Sequence, residues 1–294
     1  MRLGSFCRVA KCSFGIVVLT LITSDIFSQT RMDYADYLYA EKDYFRAISE
    51  YKRTFYFSDD NNLKNNCLLN ISRAYLKSSR FKSSIRYASK LLNREDVHTD
   101  RVTRANHVIG LSYYGLKVFP MAEDFFNKAA SSDTSGFSLF YLALLDVEKS
   151  KYEDAHIKYH DIAQNHPDSE VARLSMQLSA DVLKGHDVKR KNPFLAALMS
   201  ALLPGSGQLY CQHAYDGLQS FLYVGAFAFA TYAAYQYDRH CSDHYVHTAI
   251  AVSITGLFHI GNIIGAQRTA RYYNLKQKEN FLNRIRESVF SIDY

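Results

Sequence analysis

His240, Cys241, Asp243, His244 and His247 form the densest group of chemically capable side chains in this sequence. On a helix, positions 240, 244 and 247 share a face, so three imidazoles could converge there. Zinc or copper would suit such a set, because imidazole nitrogen is a good ligand for both. No second cluster of ligand-type residues completes it, which favours a plainer reading as a polar loop between two apolar helices. No metal or other cofactor is therefore expected. The chain has no phosphate-cradling glycine loop, no nucleophile elbow and no zinc-protease helix motif. Acidic pairs such as Asp59-Asp60 and Glu153-Asp154 sit near helix starts and read as caps or solvated faces. No catalytic residue is assigned, and no enzyme activity is expected.

The elements that position these residues follow from composition and periodicity. The chain has 294 residues, only 4 Pro and 13 Gly, and 23 Tyr with 19 Phe, which favours helices over a turn-rich β fold. One pattern recurs between about Tyr34 and Lys184. Its copies are Asp43–Phe55, Arg80–Leu92, Val118–Ala130 and Lys151–Ala163. Each opens with an aromatic (Tyr44, Phe81, Phe119, Tyr152). Three residues on comes a small side chain (Ala47, Ser84, Ala122, Ala155), and four further comes Tyr51, Ala88, Phe126 or Tyr159. Spacings of three and four keep these side chains on one helical face. A second helix precedes each copy, and the small residue lets the two approach closely.

The period of about 33 to 38 residues and these positions resemble the tetratricopeptide repeat. That resemblance covers residues 31–184, as about four repeats and a closing helix from Ser169 to Lys184. Ser84 replaces the expected small apolar residue, and only the last copy ends in the expected Pro, Pro167. The resemblance implies a helical solenoid whose groove binds a protein or peptide. The positions that map to the groove are Tyr39, Asn66, Arg73, Lys77, Arg104, His107 and Tyr114. They mix positive charge with aromatics, which would suit an acidic or aromatic-bearing segment.

Composition changes after Gly185. Lys189-Arg190-Lys191 makes a basic hinge, and Pro193 suits the first turn of a helix. Phe194–Leu203 is apolar but too short to cross a bilayer, and Pro204-Gly205-Ser206-Gly207 then forces a turn. Gly217–Tyr237 carries no charge, and Tyr245–Gln267 is a second such stretch, so two spanning helices are expected within 193–267. Residues 268–294 make a basic amphipathic tail. Leu202–Leu222 resembles bacterial two-transmembrane-helix domains marked by Pro-Gly-x-Gly-x-x-Tyr and a later Gly. Pro204, Gly205, Gly207, Gln208, Tyr210 and Gly217 match. Gln212 departs from the pattern, standing where a Gly usually follows the Tyr by two residues. Gly261 and Gly265 form a G-x-x-x-G that could bring another helix close. The expected fold class is all-α, a helical solenoid followed by a small helical membrane domain.

Residues 1–28 read as a signal peptide: Arg2, Arg8 and Lys11 precede the apolar run Ser13–Ile22, with Ser28 before the cut. Cys7 and Cys12 precede that run, so they do not fit a lipoprotein signal. Cys67, Cys211 and Cys241 form no disulfide framework. The signal places the repeats in the periplasm of a bacterial envelope. The basic flanks of the membrane domain instead favour the cytoplasm for both of its ends, by the positive-inside rule. With two crossings the two signals conflict, so cytoplasm-facing repeats stay open. The net charge of +6 points to no nucleic-acid partner, because the basic tail lies beside a lipid bilayer that accounts for it. The expected function is a membrane-anchored interaction scaffold. Alternatives are an assembly or transport accessory handling client chains, and a metal sensor using His240, His244 and His247.

Overall fold

The computed structural model describes residues 31–165, 170–242 and 244–289. The expected signal at 1–28, Pro167 and Asp243 lie outside those residues. Throughout the described residues the secondary structure is helical, with no strand. Two compact units divide between Ala180 and Asp181.

The first unit is a row of helices. Residues 31–40 form α1. There follow α2 (Tyr44–Phe57), α3 (Asn61–Lys77), α4 (Phe81–Leu92), α5 (Thr99–Gly115), α6 (Phe119–Ala130), α7 (Phe137–Glu148), α8 (Tyr152–Asn165) and α9 (Glu170–Leu183), the last reaching the boundary. From α2 to α8 each helix packs on the next in the chain, and α3 also touches α5. The small residues at the close contacts, Ala47, Ser84, Ala122 and Ala155, are all fully buried. Ser84 keeps its hydroxyl satisfied inside the row. Its Oγ donates to Ser72 O (2.8 Å) and lies 2.9 Å from Ser112 Oγ. The departure from Ala thus costs no buried, unpaired polar group.

The same turn closes α1, α3, α5 and α7. Lys42, Ser79, Lys117 and Ser150 adopt positive φ, between 58° and 63°. The residue after each donates its N–H back five positions. These bonds are Asp43 to Leu38 O, Arg80 to Tyr75 O, Val118 to Tyr113 O and Lys151 to Asp146 O, at 2.8–2.9 Å. The positive-φ residue itself bonds three positions back, giving the paired bonds of a Schellman turn. Each turn reverses the chain into the helix that carries the small residue. Glycine adopts this conformation without strain, yet none of the four positions is Gly.

The second unit contains α10 (Pro193–Leu202), α11 (Ser206–Tyr210), α12 (Ala214–Cys241) and α13 (Val246–Val289). Asn192 caps α10, its Oδ1 accepting from Phe194 N (2.9 Å) and Leu195 N (3.3 Å). Pro193 occupies the first turn, where a missing N–H costs nothing. The basic tail is no separate element as far as it is described: α13 runs unbroken for 44 residues, about 66 Å at 1.5 Å per residue. Among the described residues, α13 is the one helix long and apolar enough to cross a membrane. Helix α12 is uncharged from Gly217 to Tyr237, but its tyrosines and glutamines lower its hydropathy below that of α13.

Candidate interaction surfaces

Helix α3 carries Asn62, Asn66, Asn70, Arg73 and Lys77, spaced by four, four, three and four, so they share one face. Neighbouring helices reach this face. Arg101 of α5 donates from Nε to Asn66 Oδ1 (2.7 Å), and its second nitrogen lies 3.4 Å from Asn62 Oδ1. Asn70 donates to Asp36 Oδ1 of α1 (3.3 Å), which also accepts from Tyr51 O–H (2.6 Å). The Arg73 guanidinium sits over the Tyr39 ring, 5.6 Å from its centre. On α5, exposed Arg104 pairs with Asp100 at 3.1 Å. Sequence reasoning missed Asp36, Asn62, Asn70 and Arg101. The repeat of Asn at positions 62, 66 and 70 was the available signal.

Two groove candidates lie elsewhere. Tyr114 is buried, with its hydroxyl donating to Glu148 Oε1 (2.6 Å). His107 is 1% exposed and cannot line an open groove. Its ring packs against Phe126, Phe137 and Tyr141 at 5.1–6.1 Å, and Nδ1 lies 3.5 Å from Ser138 Oγ. Burial disfavours the charged ring and lowers the His107 pKa to about 4, against a smaller opposing pull from Asp133. His107 is therefore a neutral core residue at pH 7. The misassignment has a physical cause. Helix α5 is buried at every position from Ala105 to Ser112, because neighbours cover it on more than one side. A reading that assumes one buried stripe places such residues wrongly.

In the second unit the Pro-Gly-x-Gly segment is a packing device. A Cβ on Gly205 would lie 2.0 Å from Gly217 O, and one on Gly207 would lie 2.0 Å from Ala196 O. Neither backbone approach tolerates a side chain. Gly205 also has φ of +87°. Between these contacts lies a buried polar network. Ser200 Oγ donates to Gln208 Oε1 (2.9 Å) and accepts from Gly207 N (3.0 Å). Gln208 Nε2 donates to Asn262 Oδ1 (3.0 Å), which also accepts from Gly205 N (3.2 Å). Asn262 Nδ2 returns a bond to Ser200 O (3.1 Å). Ser200 and Asn262 escaped the sequence reading, although an Asn within an apolar stretch was a usable signal. Tyr210 packs on Ala196, Ala266 and Ala270, and its ring lies 4.4 Å from the Lys191 ammonium. Pro204 is half-buried at the turn. Gln212, at φ 65°, makes the same turn as the four in the helix row, with His213 N bonding Gln208 O (3.0 Å). Glutamine thus holds a conformation that glycine would adopt freely.

Helices α12 and α13 run antiparallel, as the sequence of cross-contacts shows. His213 meets Tyr272 at one end, Phe227 stacks on Phe258, Thr231 Oγ1 lies 2.7 Å from Thr255 Oγ1, and Asp238 meets Thr248 at the other end. Asp238 accepts from Thr248 N (2.8 Å), Thr248 Oγ1 (2.8 Å) and His247 Nδ1 (2.7 Å), so one carboxylate caps the start of α13. This accounts for His247. His240 Nδ1 bonds Gln236 O (2.8 Å), one turn back on its own helix, and His244 is exposed. Among the described residues no three His, Cys, Asp or Glu side chains come together as a metal would require. The G-x-x-x-G is split in its surroundings: a Cβ on Gly261 would meet open space, whereas one on Gly265 would lie 3.6 Å from Gln208 Nε2.

The unit's exterior is apolar. Phe194 (72% exposed) and Leu202 (82%) on α10, Phe229 (72%) on α12 and Leu257 (70%) on α13 all point outward. Such continuous apolar exposure is foreign to water-facing surfaces. No family model matches this chain, and neither the curated proteins nor the solved structures contain a match to it.

Proposed function

We propose that this chain is a membrane-anchored interaction scaffold: the helix row is a tetratricopeptide-type solenoid that holds an extended protein segment, and α12 and α13 cross a bilayer of the bacterial envelope. The observation that carries the binding half of this reading is the amide face of α3. Asn62, Asn66 and Asn70 each offer both donors and acceptors, the requirement for pairing with the backbone of an extended chain. Arg73, Lys77 and Arg104 add positive charge around it, which favours acidic partners and makes capture salt-dependent. The anchoring half rests on the outward apolar side chains and the buried polar network beneath them. In lipid every buried polar group must be satisfied internally, as Gln208, Asn262 and Ser200 are by one another. The hairpin between its end contacts spans roughly 25 residues, about 37 Å of helix, enough to cross the hydrocarbon core. No catalytic or metal role belongs to this reading.

The test is capture by the full chain, purified in detergent, from extracts of its own cells at low salt. Wild type should retain one partner at fixed stoichiometry. A variant carrying Arg73→Glu, Lys77→Glu and Arg104→Glu should lose it while keeping wild-type helicity and a cooperative melt, the lost stacking of Arg73 on Tyr39 costing about 1 kcal/mol. Identical capture by both proteins would remove the groove from the proposal. Capture of many unfolded chains in place of one partner would shift the reading to an assembly or transport accessory.

A further inference from the structure

The basic hinge and the basic part of α13 are separate in sequence but adjacent in the fold. The Asn274 side chain grips the backbone of Lys191 from both sides, accepting from its N–H (2.7 Å) and donating to its C=O (2.8 Å). That clamp sets residues 189–191 beside the stretch of α13 that begins at Arg268. The start of α12 reaches the same level, where His213 meets Tyr272 edge-on with ring centres 6.1 Å apart. Three segments therefore end their apolar course together. Lys189, Arg190, Arg268, Arg271 and Lys276 are all exposed here. None of the five makes an ion pair with a described carboxylate. Exposed Tyr215, Tyr272 and Phe194 lie among them, the aromatic types that favour a membrane interface. The opposite end of the hairpin, around Asp238 and Thr248, holds only Arg239 as a Lys or Arg between residues 236 and 248.

We infer that these five cations form a collar that gathers acidic phospholipid headgroups around the second unit. The inference rests on the membrane reading above and adds a lipid class to it. A phosphate group sits just outside the hydrocarbon layer, at the level where the apolar exterior gives way to this collar. Each Lys or Arg near an anionic surface contributes about 1 kcal/mol, so five acting together discriminate strongly between acidic and zwitterionic lipid. Among the described residues, none of the five is held by a carboxylate that would compete with the phosphate.

The experiment uses the full chain reconstituted in vesicles of phosphatidylcholine alone or mixed equally with phosphatidylglycerol. Flotation scores insertion, and native mass spectrometry after gentle detergent release scores retained lipid. Wild type should float with both vesicles and retain phosphatidylglycerol several-fold over phosphatidylcholine, and added salt should erase that preference. The variant Lys189→Gln, Arg190→Gln, Arg268→Gln, Arg271→Gln, Lys276→Gln should still float but retain both lipids equally. Equal retention by wild type, or a preference untouched by salt, would overturn the collar while leaving insertion intact. Full preference in a floating variant would do the same. A wild-type chain that stays soluble without detergent and floats with neither vesicle would overturn the membrane reading, and the collar with it.

Discussion

In the helix row the largest fully buried side chains are aromatic: Tyr51, Phe126, Phe140 and Tyr159. In the C-terminal unit the buried positions include Ser200, Gln208, Asp238 and Asn262, while Phe194, Phe229 and Leu257 face outward. Both units bury amides and a carboxylate, Asn65, Asn106 and Asp146 in the row and Gln208, Asn262 and Asp238 in the second unit; the row adds large buried rings, and the second unit shows hydrocarbon on its outer faces. Yet both use one backbone device, the positive-φ turn at Lys42, Ser79, Lys117, Ser150 and Gln212. Chain reversal follows local rules that hold in either setting. Polar groups buried in either unit are settled on protein partners, Ser84 on Ser72 and Ser112 in the row and Gln208 on Ser200 and Asn262 in the second unit.

The largest effect that would sharpen this contrast is Gly207→Ala. Its Cβ would meet the Ala196 carbonyl at 2.0 Å, and backbone cannot yield as a side chain does. We expect a loss of about 3 kcal/mol or more, read as early thermal collapse of the detergent-purified chain. Gly261→Ala, which meets nothing, should stay within about 0.5 kcal/mol of wild type. Equal behaviour of the two variants would refute close backbone packing as the role of the motif.

Next in size is an effect of pH on the helix row. His107 is neutral in the fold down to about pH 4, but in the unfolded chain it gains a proton near 6.5. Its folded pKa is depressed, so its contribution is complete above about 6.5 and is lost as pH falls from there towards 4. At about 1.4 kcal/mol per pH unit the cost approaches about 3 kcal/mol. Denaturant midpoints at pH 7.5, 5.5 and 4.5 should show this slope in wild type and a flatter one in His107→Phe. Parallel slopes would mean that carboxylates alone set the acid response.

Ala122→Leu should cost about 1–3 kcal/mol, because Ala122 is fully buried at the contact between helices. An unchanged melting temperature would show that this contact can open to admit the larger side chain without strain.

The smallest effect runs the other way and spans both units. Lys42→Gly, Ser79→Gly, Lys117→Gly, Ser150→Gly and Gln212→Gly should each stabilise by about 0.5–1 kcal/mol, since glycine removes the strain of positive φ. Uniform gains, measured as rises in unfolding midpoint, would confirm one turn in two settings. A gain at the first four and a loss at Gln212 would separate them.

The all-helical class and the small residues of the row were legible because close helix contact leaves few choices at Ala47, Ala122 and Ala155. The glycines at 205, 207 and 217 were legible for the same reason. The four repeated turns were not, because Lys, Ser, Lys and Ser give no turn signal and their backbone is set by the helices on either side. Long-range polar pairing was equally hidden. Nothing in the local sequence links Lys191 to Asn274, or Ser200 to Asn262, since the link arises only when α10 meets α13. Burial also separates the thiols, beginning with Cys67. It is a free thiol, but it is fully buried and burial pushes its pKa up to about 12, so it cannot report sidedness by labelling in the native state. Exposed Cys241, at the hairpin tip, can.

The clamp between Asn274 and Lys191 also orders events in time. Partners in the helix row lie close in sequence, the hydrogen bond from Arg101 to Asn62 spanning 39 residues. Each helix can therefore settle on its predecessor soon after it leaves the ribosome, and such local contacts form quickly. The clamp joins positions 83 residues apart, and α10 finds its main partner only in α13. Until α13 has been made, the apolar side chains of α10 wait without their partner. Completion of the C-terminal unit thus waits for α13, and a chain truncated before residue 274 would carry a finished row and an unfinished second unit.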